Sequence, residues 1–97
     1  NYVIINPKIV SNSTEEIASE AGEGCLSVNR DVEGHVKRYA RVTVEGYDED
    51  GNLIRIRARE ELSIAFQHEI DHLNGILFYD RIDKNKPFYT EEEIRLI

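Results

Sequence analysis

Two histidines and an acidic residue stand together in the segment His68-Glu69-Ile70-Asp71-His72. On an α-helix, residues four apart lie on the same face, so both imidazoles can reach one metal ion. Glu69 directly follows the first histidine, and its carboxylate can approach an activated water molecule without serving as a ligand. The spacing predicts a divalent metal site with Glu69 as a general base. The alternative is two ordinary helix histidines with no metal.

Two imidazoles leave a divalent metal under-ligated, so a third protein ligand is expected from elsewhere in the chain. The position six residues after His72 is Phe78, which excludes the three-histidine arrangement of metzincin-type proteases. The single cysteine, Cys25, is one candidate, although a lone cysteine is more often an inert buried residue. A thermolysin-like peptidase would instead use one of three glutamates, Glu91, Glu92 or Glu93.

A structural zinc site is a further alternative. His35 would then supply a fourth protein ligand, whereas a catalytic centre keeps one coordination position open. His35 follows Gly34 in a turn-rich segment, where an exposed polar role is the ordinary expectation.

The segments Glu23-Gly24-Cys25-Leu26-Ser27 and Gln67-His68-Glu69-Ile70-Asp71-His72-Leu73-Asn74-Gly75 closely resemble the second and third signature motifs of peptide deformylases. The pair, in this order, is far more specific than either motif alone. The likeness extends from Asn6-Pro7 to Phe78-Tyr79-Asp80, and the tail is similar to the form common in Gram-positive bacteria.

The resemblance implies a metal-dependent hydrolase of N-terminal methionine processing. It would remove the formyl group from formyl-methionine at the N-terminus of nascent peptides and release formate. One divalent metal is implied, natively Fe²⁺, with zinc, nickel or cobalt as substitutes. The implied metal ligands are Cys25, His68 and His72.

The resemblance also assigns roles around the metal. Glu69 is implied as the general acid and base, and the backbone N–H of Leu26 would help to stabilise the oxyanion. Gly24 would let the backbone approach the site closely, which makes it a candidate substrate contact. The methionine pocket should be apolar, with Ile64 and Ala65 as candidates.

The family's first motif, a Gly-x-Gly-Leu-Ala-Ala-x-Gln segment, has no counterpart here. Its glutamine should donate a hydrogen bond to the oxyanion, and Gln67 is the only glutamine in the chain. We therefore expect residues 1–97 to form a single incomplete domain, the metal-binding C-terminal part of a deformylase domain. It should associate with the missing N-terminal fragment of the same protein, or else be poorly soluble and inactive.

Composition limits the partners of this chain. The net charge of −7 argues against direct nucleic-acid binding, and no apolar run approaches the length of a membrane span. A single cysteine cannot form an internal disulfide, which favours a reducing compartment. We expect a bacterial cytoplasmic protein that meets N-formylated nascent peptides near the ribosome, without membrane insertion.

The metal motif must be carried by a helix, predicted at about 60–74. Leu62, Phe66, Ile70 and Leu73 share one face of it, and Asn74-Gly75 ends it. The remaining polar stripe is narrow, so the helix should be largely enclosed. Its members are Ser63, Gln67, Asp71 and Asn74.

Strands are predicted around this helix. Period-two alternation on both sides of Asp50-Gly51 predicts a hairpin at about 39–59. The run Tyr2–Ile5 predicts a strand that ends at Asn6-Pro7 and resumes over 8–10, and 11–24 resembles a loop. The predicted fold class is α+β, with mostly antiparallel strands packed around one central metal-binding helix.

Overall fold

A computed structural model of the chain describes residues 4–23 and 34–97. An antiparallel sheet contains β1 (Ile5–Asn12), β4 (Arg41–Tyr47) and β5 (Leu53–Arg59), with β4 in the centre. A smaller sheet contains β2 (Glu16–Ala18), β3 (Arg38–Tyr39) and β6 (Arg95–Leu96). In this sheet β2 is central, antiparallel to β3 and parallel to β6.

Helix α1 (Glu60–Leu73) directly follows β5, and a 3₁₀ helix (Phe78–Arg81) follows the turn after α1. The architecture is α+β with an antiparallel sheet beside one α-helix, as predicted. None of the helices in the described part of the chain is both long and apolar enough to cross a bilayer.

The predicted hairpin is confirmed. Its strands β4 and β5 pair without interruption from Arg41 opposite Arg59 to Tyr47 opposite Leu53. At the turn, the Asp48 side chain accepts hydrogen bonds from the backbone N–H groups of Asp50 and Asn52, and Gly51 has a φ of 82°. This geometry is why the turn needs a short acceptor side chain and a glycine.

The segment before the hairpin differs from the prediction. The first strand does not end at Asn6-Pro7 but continues through them to Asn12, with a register shift between Ile5 and Lys8. Asn6 adopts a φ of 53°, and proline is tolerated because β1 is an edge strand. The predicted loop over 11–24 is also wrong at Glu16–Ala18, which forms the centre of the smaller sheet.

Helix α1 has the predicted limits, and Gly75 has a φ of 77° just beyond its end. The prediction that the helix is largely enclosed is partly wrong, because Leu62 and Leu73, on its predicted apolar face, are 42% and 69% exposed. The polar stripe is buried instead, except at Asn74. Its buried members are Ser63, Gln67 and Asp71.

Hydrogen bonds to strand β3 explain this burial. The Gln67 side chain accepts from the Tyr39 N–H and donates to the Tyr39 carbonyl, both at 2.9 Å, and the Ser63 hydroxyl donates to that carbonyl at 2.8 Å. Buried polar side chains are stable where such partners exist. The stripe therefore binds the smaller sheet, and it fixes the rotation of α1 about its axis.

Two apolar clusters hold α1 against the strands. Ile70 packs against the large sheet, with Val42, Val44 and Ala58. Ile64 packs with Ile17, Ala40 and the half-buried Ile97. Ile64 precedes His68 by one turn on the same helix face, so the second cluster helps to position that histidine.

Candidate metal centre

The side chains of His68, Glu69 and His72 come together at one side of α1. Each offers a ligand atom, and these atoms all lie within 4.8 Å of one another. The two imidazole centroids are 4.6 Å apart, a distance that the four-residue helical spacing allows. His68 is buried, His72 half-buried and Glu69 exposed. This donor set and its spacing fit one divalent metal ion.

A buried carboxylate orients His68. Glu23 Oε1 lies 2.8 Å from His68 Nδ1, and a carboxylate acceptor there places the proton on Nδ1. The lone pair of His68 Nε2 is then available to a metal. Among residues 4–23 and 34–97, no group forms a hydrogen bond with Nε2. Carboxylate–histidine pairs of this kind are typical supports of metal-binding imidazoles.

Glu23 is itself held by a buried arginine that sequence reasoning missed. Arg38 donates from Nη2 and Nε to the two carboxylate oxygens of Glu23, at 2.8 and 3.0 Å. Its remaining nitrogen, Nη1, lies 2.5 Å from Asp71 Oδ2. No local pattern links Glu23 to His68, which lies 45 positions later. From the sequence, the Glu23–His68 contact could have been found only by asking which acidic residue accepts a hydrogen bond from a buried histidine.

The ion pairs keep both Arg38 and Asp71 charged. Burial favours the neutral form of Asp71, but hydrogen bonds from Arg81 and Arg38 outweigh it and hold the pKa of Asp71 below its ordinary value. Burial likewise opposes the charge on Arg38, yet hydrogen bonds to Glu23 and Asp71 raise the Arg38 pKa. Arg38 and Asp71 are therefore both ionised at neutral pH.

A cavity of about 330 Å³ adjoins these residues. His68 and Glu69 lie on its wall, and so do Ile64 and Ala65, the two residues predicted for an apolar pocket. The remaining lining residues are Ser19, Gly22, Glu23, Glu61 and Ile97. A ligand in this cavity would contact an apolar wall and lie beside the histidine–glutamate group.

Three predicted site residues, Gly24, Cys25 and Leu26, lie outside the residues that the structure describes. Their assignments as substrate contact, metal ligand and oxyanion donor stay predictions.

His35 is buried, contrary to the expected exposed role. Its Nδ1 accepts a 2.8 Å hydrogen bond from the Tyr89 N–H, and its Nε2 donates to the Glu20 carbonyl at 3.2 Å. The ring also meets Phe88 edge to face. Because both ring nitrogens have protein partners, the structure does not support His35 as a zinc ligand.

The glutamates of the thermolysin-like alternative do not join the metal-binding group. Glu93 accepts hydrogen bonds from Thr90 and pairs with Lys86, and Glu91 accepts from the Leu96 N–H. Within the described residues, the only such group of possible ligands is that of His68, Glu69 and His72. The structure therefore gives this alternative no support.

Comparison with known proteins places this geometry in a family. The model of the polypeptide deformylase family matches residues 1–88. The chain belongs to the polypeptide deformylase family. It is 56% identical over 95 residues to the peptide deformylase of Streptococcus pyogenes serotype M18 (strain MGAS8232). That match covers 98% of this chain but only 47% of the relative, so the chain spans about half the length of such deformylases.

Solved deformylase structures share the fold. The Thermotoga maritima peptide deformylase is 34% identical, with a TM-score of 0.76 over 84% of this chain and 54% of that one. The class I type b deformylase of Acinetobacter baumannii with Met-Ala-Ser bound is 40% identical, with a TM-score of 0.73. Its match covers 81% of this chain and 48% of that one. The described strands and helix thus reproduce about half of a deformylase.

Proposed function

We propose that this chain is the metal-binding part of a peptide deformylase that hydrolyses the N-formyl group of formyl-methionine on nascent peptides. The observation that carries the proposal is the convergence of His68 and His72 beside an exposed Glu69, at a cavity, in a member of the deformylase family. The products would be formate and a peptide with a free N-terminus.

In this proposal α1 is the central metal-binding helix. His68 and His72 would bind one divalent ion together with Cys25, with Fe²⁺ as the native metal and zinc, nickel or cobalt as substitutes. When bound, the ion would act as a Lewis acid and make water a nucleophile near neutral pH. The Glu23 carboxylate would keep the His68 ring oriented for this task.

Glu69 is the proposed general base and acid. It is exposed on the wall of the cavity, where a water molecule and a substrate can both reach it. Its carboxylate would take a proton from the water as the water oxygen bonds to the formyl carbon. It would pass that proton to the amine nitrogen as the carbon–nitrogen bond breaks. The Leu26 N–H would donate to the oxyanion that forms between these two steps.

The cavity beside His68 and Glu69 is the proposed substrate pocket. Ile64 and Ala65 would contact the methionine side chain there, since both line the cavity, and Gly24 would contact the peptide. Support comes from the Acinetobacter baumannii relative, whose structure holds Met-Ala-Ser. A peptide that begins with methionine is therefore a suitable substrate class.

Residues 1–97 would form a single incomplete domain. The S. pyogenes relative is about twice as long, and the Gly-rich first motif would come from the N-terminal fragment of the same protein. We infer that the enzyme would act on nascent peptides in the bacterial cytoplasm near the ribosome, with neither nucleic acid nor membrane as a direct partner.

The proposal is tested by measuring formate release from formyl-Met-Ala-Ser by the full-length protein. Activity should disappear after chelation of the metal and return with added Fe²⁺. Acetyl-Met-Ala-Ser is the matched control substrate and should yield no acetate at a comparable rate. Failure to release formate from the metal-loaded protein would refute the proposed function.

A further inference from the structure

Asp71, between the two histidines of the motif, connects the metal-binding helix to the 3₁₀ helix. Arg81 donates from Nε to Asp71 Oδ2 at 2.5 Å and from Nη2 to Asp71 Oδ1 at 2.8 Å. Oδ2 also accepts from Arg38. Asp71 therefore receives three charge-assisted hydrogen bonds, and Arg81 supplies two of them.

Arg38 is shared between two buried carboxylates. It donates two hydrogen bonds to Glu23 and only one to Asp71. A guanidinium and a carboxylate favour two parallel hydrogen bonds. Asp71 would therefore compete with Glu23 for a pair of hydrogen bonds from Arg38. Arg81 removes this competition because it already donates two hydrogen bonds to Asp71.

Without Arg81, Asp71 Oδ1 would lose its only hydrogen-bond donor among the described residues. Leaving a mostly buried carboxylate short of donors is costly. The Arg38 guanidinium would then turn towards Asp71 and give up a bond to Glu23. The carboxylate that orients His68 would be less firmly held as a result.

We propose that Arg81 is a positioning residue for the His68 imidazole, acting through Asp71, Arg38 and Glu23. The inference rests on the metal site of the proposed function, because its consequence is expressed in how firmly the metal is held. The rival explanation is an ordinary surface ion pair of little consequence, since the Arg81 side chain is 43% exposed.

The test compares Arg81→Gln with Arg55→Gln in the full-length protein loaded with Co²⁺. Arg55 is the matched control, because it is also an exposed arginine that pairs with a carboxylate, Glu45. The readouts are the visible absorption spectrum of the bound Co²⁺ and its rate of loss to a chelator. Arg81→Gln should alter the spectrum and speed metal loss by about 10-fold or more, the usual scale for outer partners of a metal site. Arg55→Gln should change neither readout.

A double-mutant cycle tests whether Arg81 acts through Asp71. Asp71→Asn alone should speed metal loss, and adding Arg81→Gln should cause little further change. Fully additive effects would overturn the proposal, as would an Arg81→Gln protein that matches Arg55→Gln in spectrum and rate. A wild-type protein that binds no Co²⁺ would overturn the proposed function together with this inference, so the two failures are distinguishable.

Discussion

Two contacts, one polar and one apolar, hold the His68 ring. Glu23 accepts the hydrogen bond of Nδ1, and the Phe78 ring stacks on the imidazole with 6.1 Å between centroids and an angle of 18°. The hydrogen bond to Glu23 fixes the direction in which the ring points, and the stacked Phe78 ring fixes its tilt. Such support is what a metal-binding imidazole needs if its Nε2 is to meet the ion reproducibly.

Replacing Glu69 with glutamine tests its role as a base. The amide has nearly the same shape but cannot accept a proton from water, so deformylation by the full-length protein should fall by at least about 10²-fold. Metal content should stay unchanged. Glu49→Gln is the control and should keep its activity, since Glu49 is an exposed acid that does not line the cavity. Equal activities of the two variants would show that Glu69 is not the base.

At the scale of elements, Gln67 joins α1 to β3 by bonding both backbone groups of Tyr39. Gln67→Ala would leave the partly buried N–H of Tyr39 without this partner. We expect a loss of about 1–3 kcal/mol in the free energy of unfolding of the full-length protein. Urea denaturation measures it, with the exposed Glu49→Ala as control, for which about 0.5 kcal/mol or less is expected. Similar values for both variants would contradict the inferred role of Gln67.

Arg95 joins β6 to two other elements. It donates to Glu15 at 3.0 Å and to Glu60, at the start of α1, at 2.8 Å. The hydrogen bonds from Arg95 outweigh desolvation and hold the pKa of both carboxyls below their ordinary value of 4.5.

This cluster makes stability depend on pH. Because the folded-state pKa values are lowered, its contribution is fully present above pH 4.5 and disappears as the pH falls through the lowered values. Arg95→Gln should therefore lose less stability on acidification than the wild type does. Thermal unfolding from neutral to acidic pH checks this, with Arg57→Gln as a control that should follow the wild type. Parallel curves for Arg95→Gln and the wild type would exclude a contribution from the cluster.

The elements predictable from the sequence are those built by local contacts. The hairpin depends on alternation and Asp50-Gly51, and the helix on its apolar period and Gly75. The smaller sheet was not predictable, because β2 is short and pairs Ile17 with Arg95 near the other end of the chain. The buried role of Gln67 was missed for the same reason, since its partner lies on a distant strand.

The same distinction applies to the candidate site. The local spacing of His68, Glu69 and His72 was sufficient to predict their convergence. The support from Glu23, Arg38 and Arg81 comes from three separate segments, so it became visible only in the folded chain.

At the scale of the whole molecule, the chain leaves large apolar side chains exposed. Leu53, at the tip of the hairpin, is 59% exposed, and Leu73, at the end of α1, is 69% exposed. The S. pyogenes relative is about twice as long. We expect the additional segment, which we propose to carry the first deformylase motif, to cover these side chains.

We therefore expect the isolated 97-residue chain to be inactive or poorly soluble, and the full-length protein to be active. Loss of one oxyanion donor alone typically costs about 10²–10³ in rate, and the chain lacks the glutamine of the first motif. Intact-mass spectrometry and a formate assay on the isolated chain test this expectation. Ordinary deformylase activity from a homogeneous 11.2 kDa species would show that the first motif is dispensable.

We propose that Cys25, His68 and His72 bind the catalytic metal. X-ray absorption spectroscopy on the zinc-substituted full-length protein measures this ligand set directly. We predict one sulfur neighbour at about 2.3 Å, two imidazole nitrogens at about 2.0–2.1 Å and one further oxygen from solvent. The sulfur contribution should vanish, and zinc should be lost readily, in Cys25→Ala. A wild-type spectrum with no sulfur neighbour, or with protein atoms in all four positions, would contradict the account.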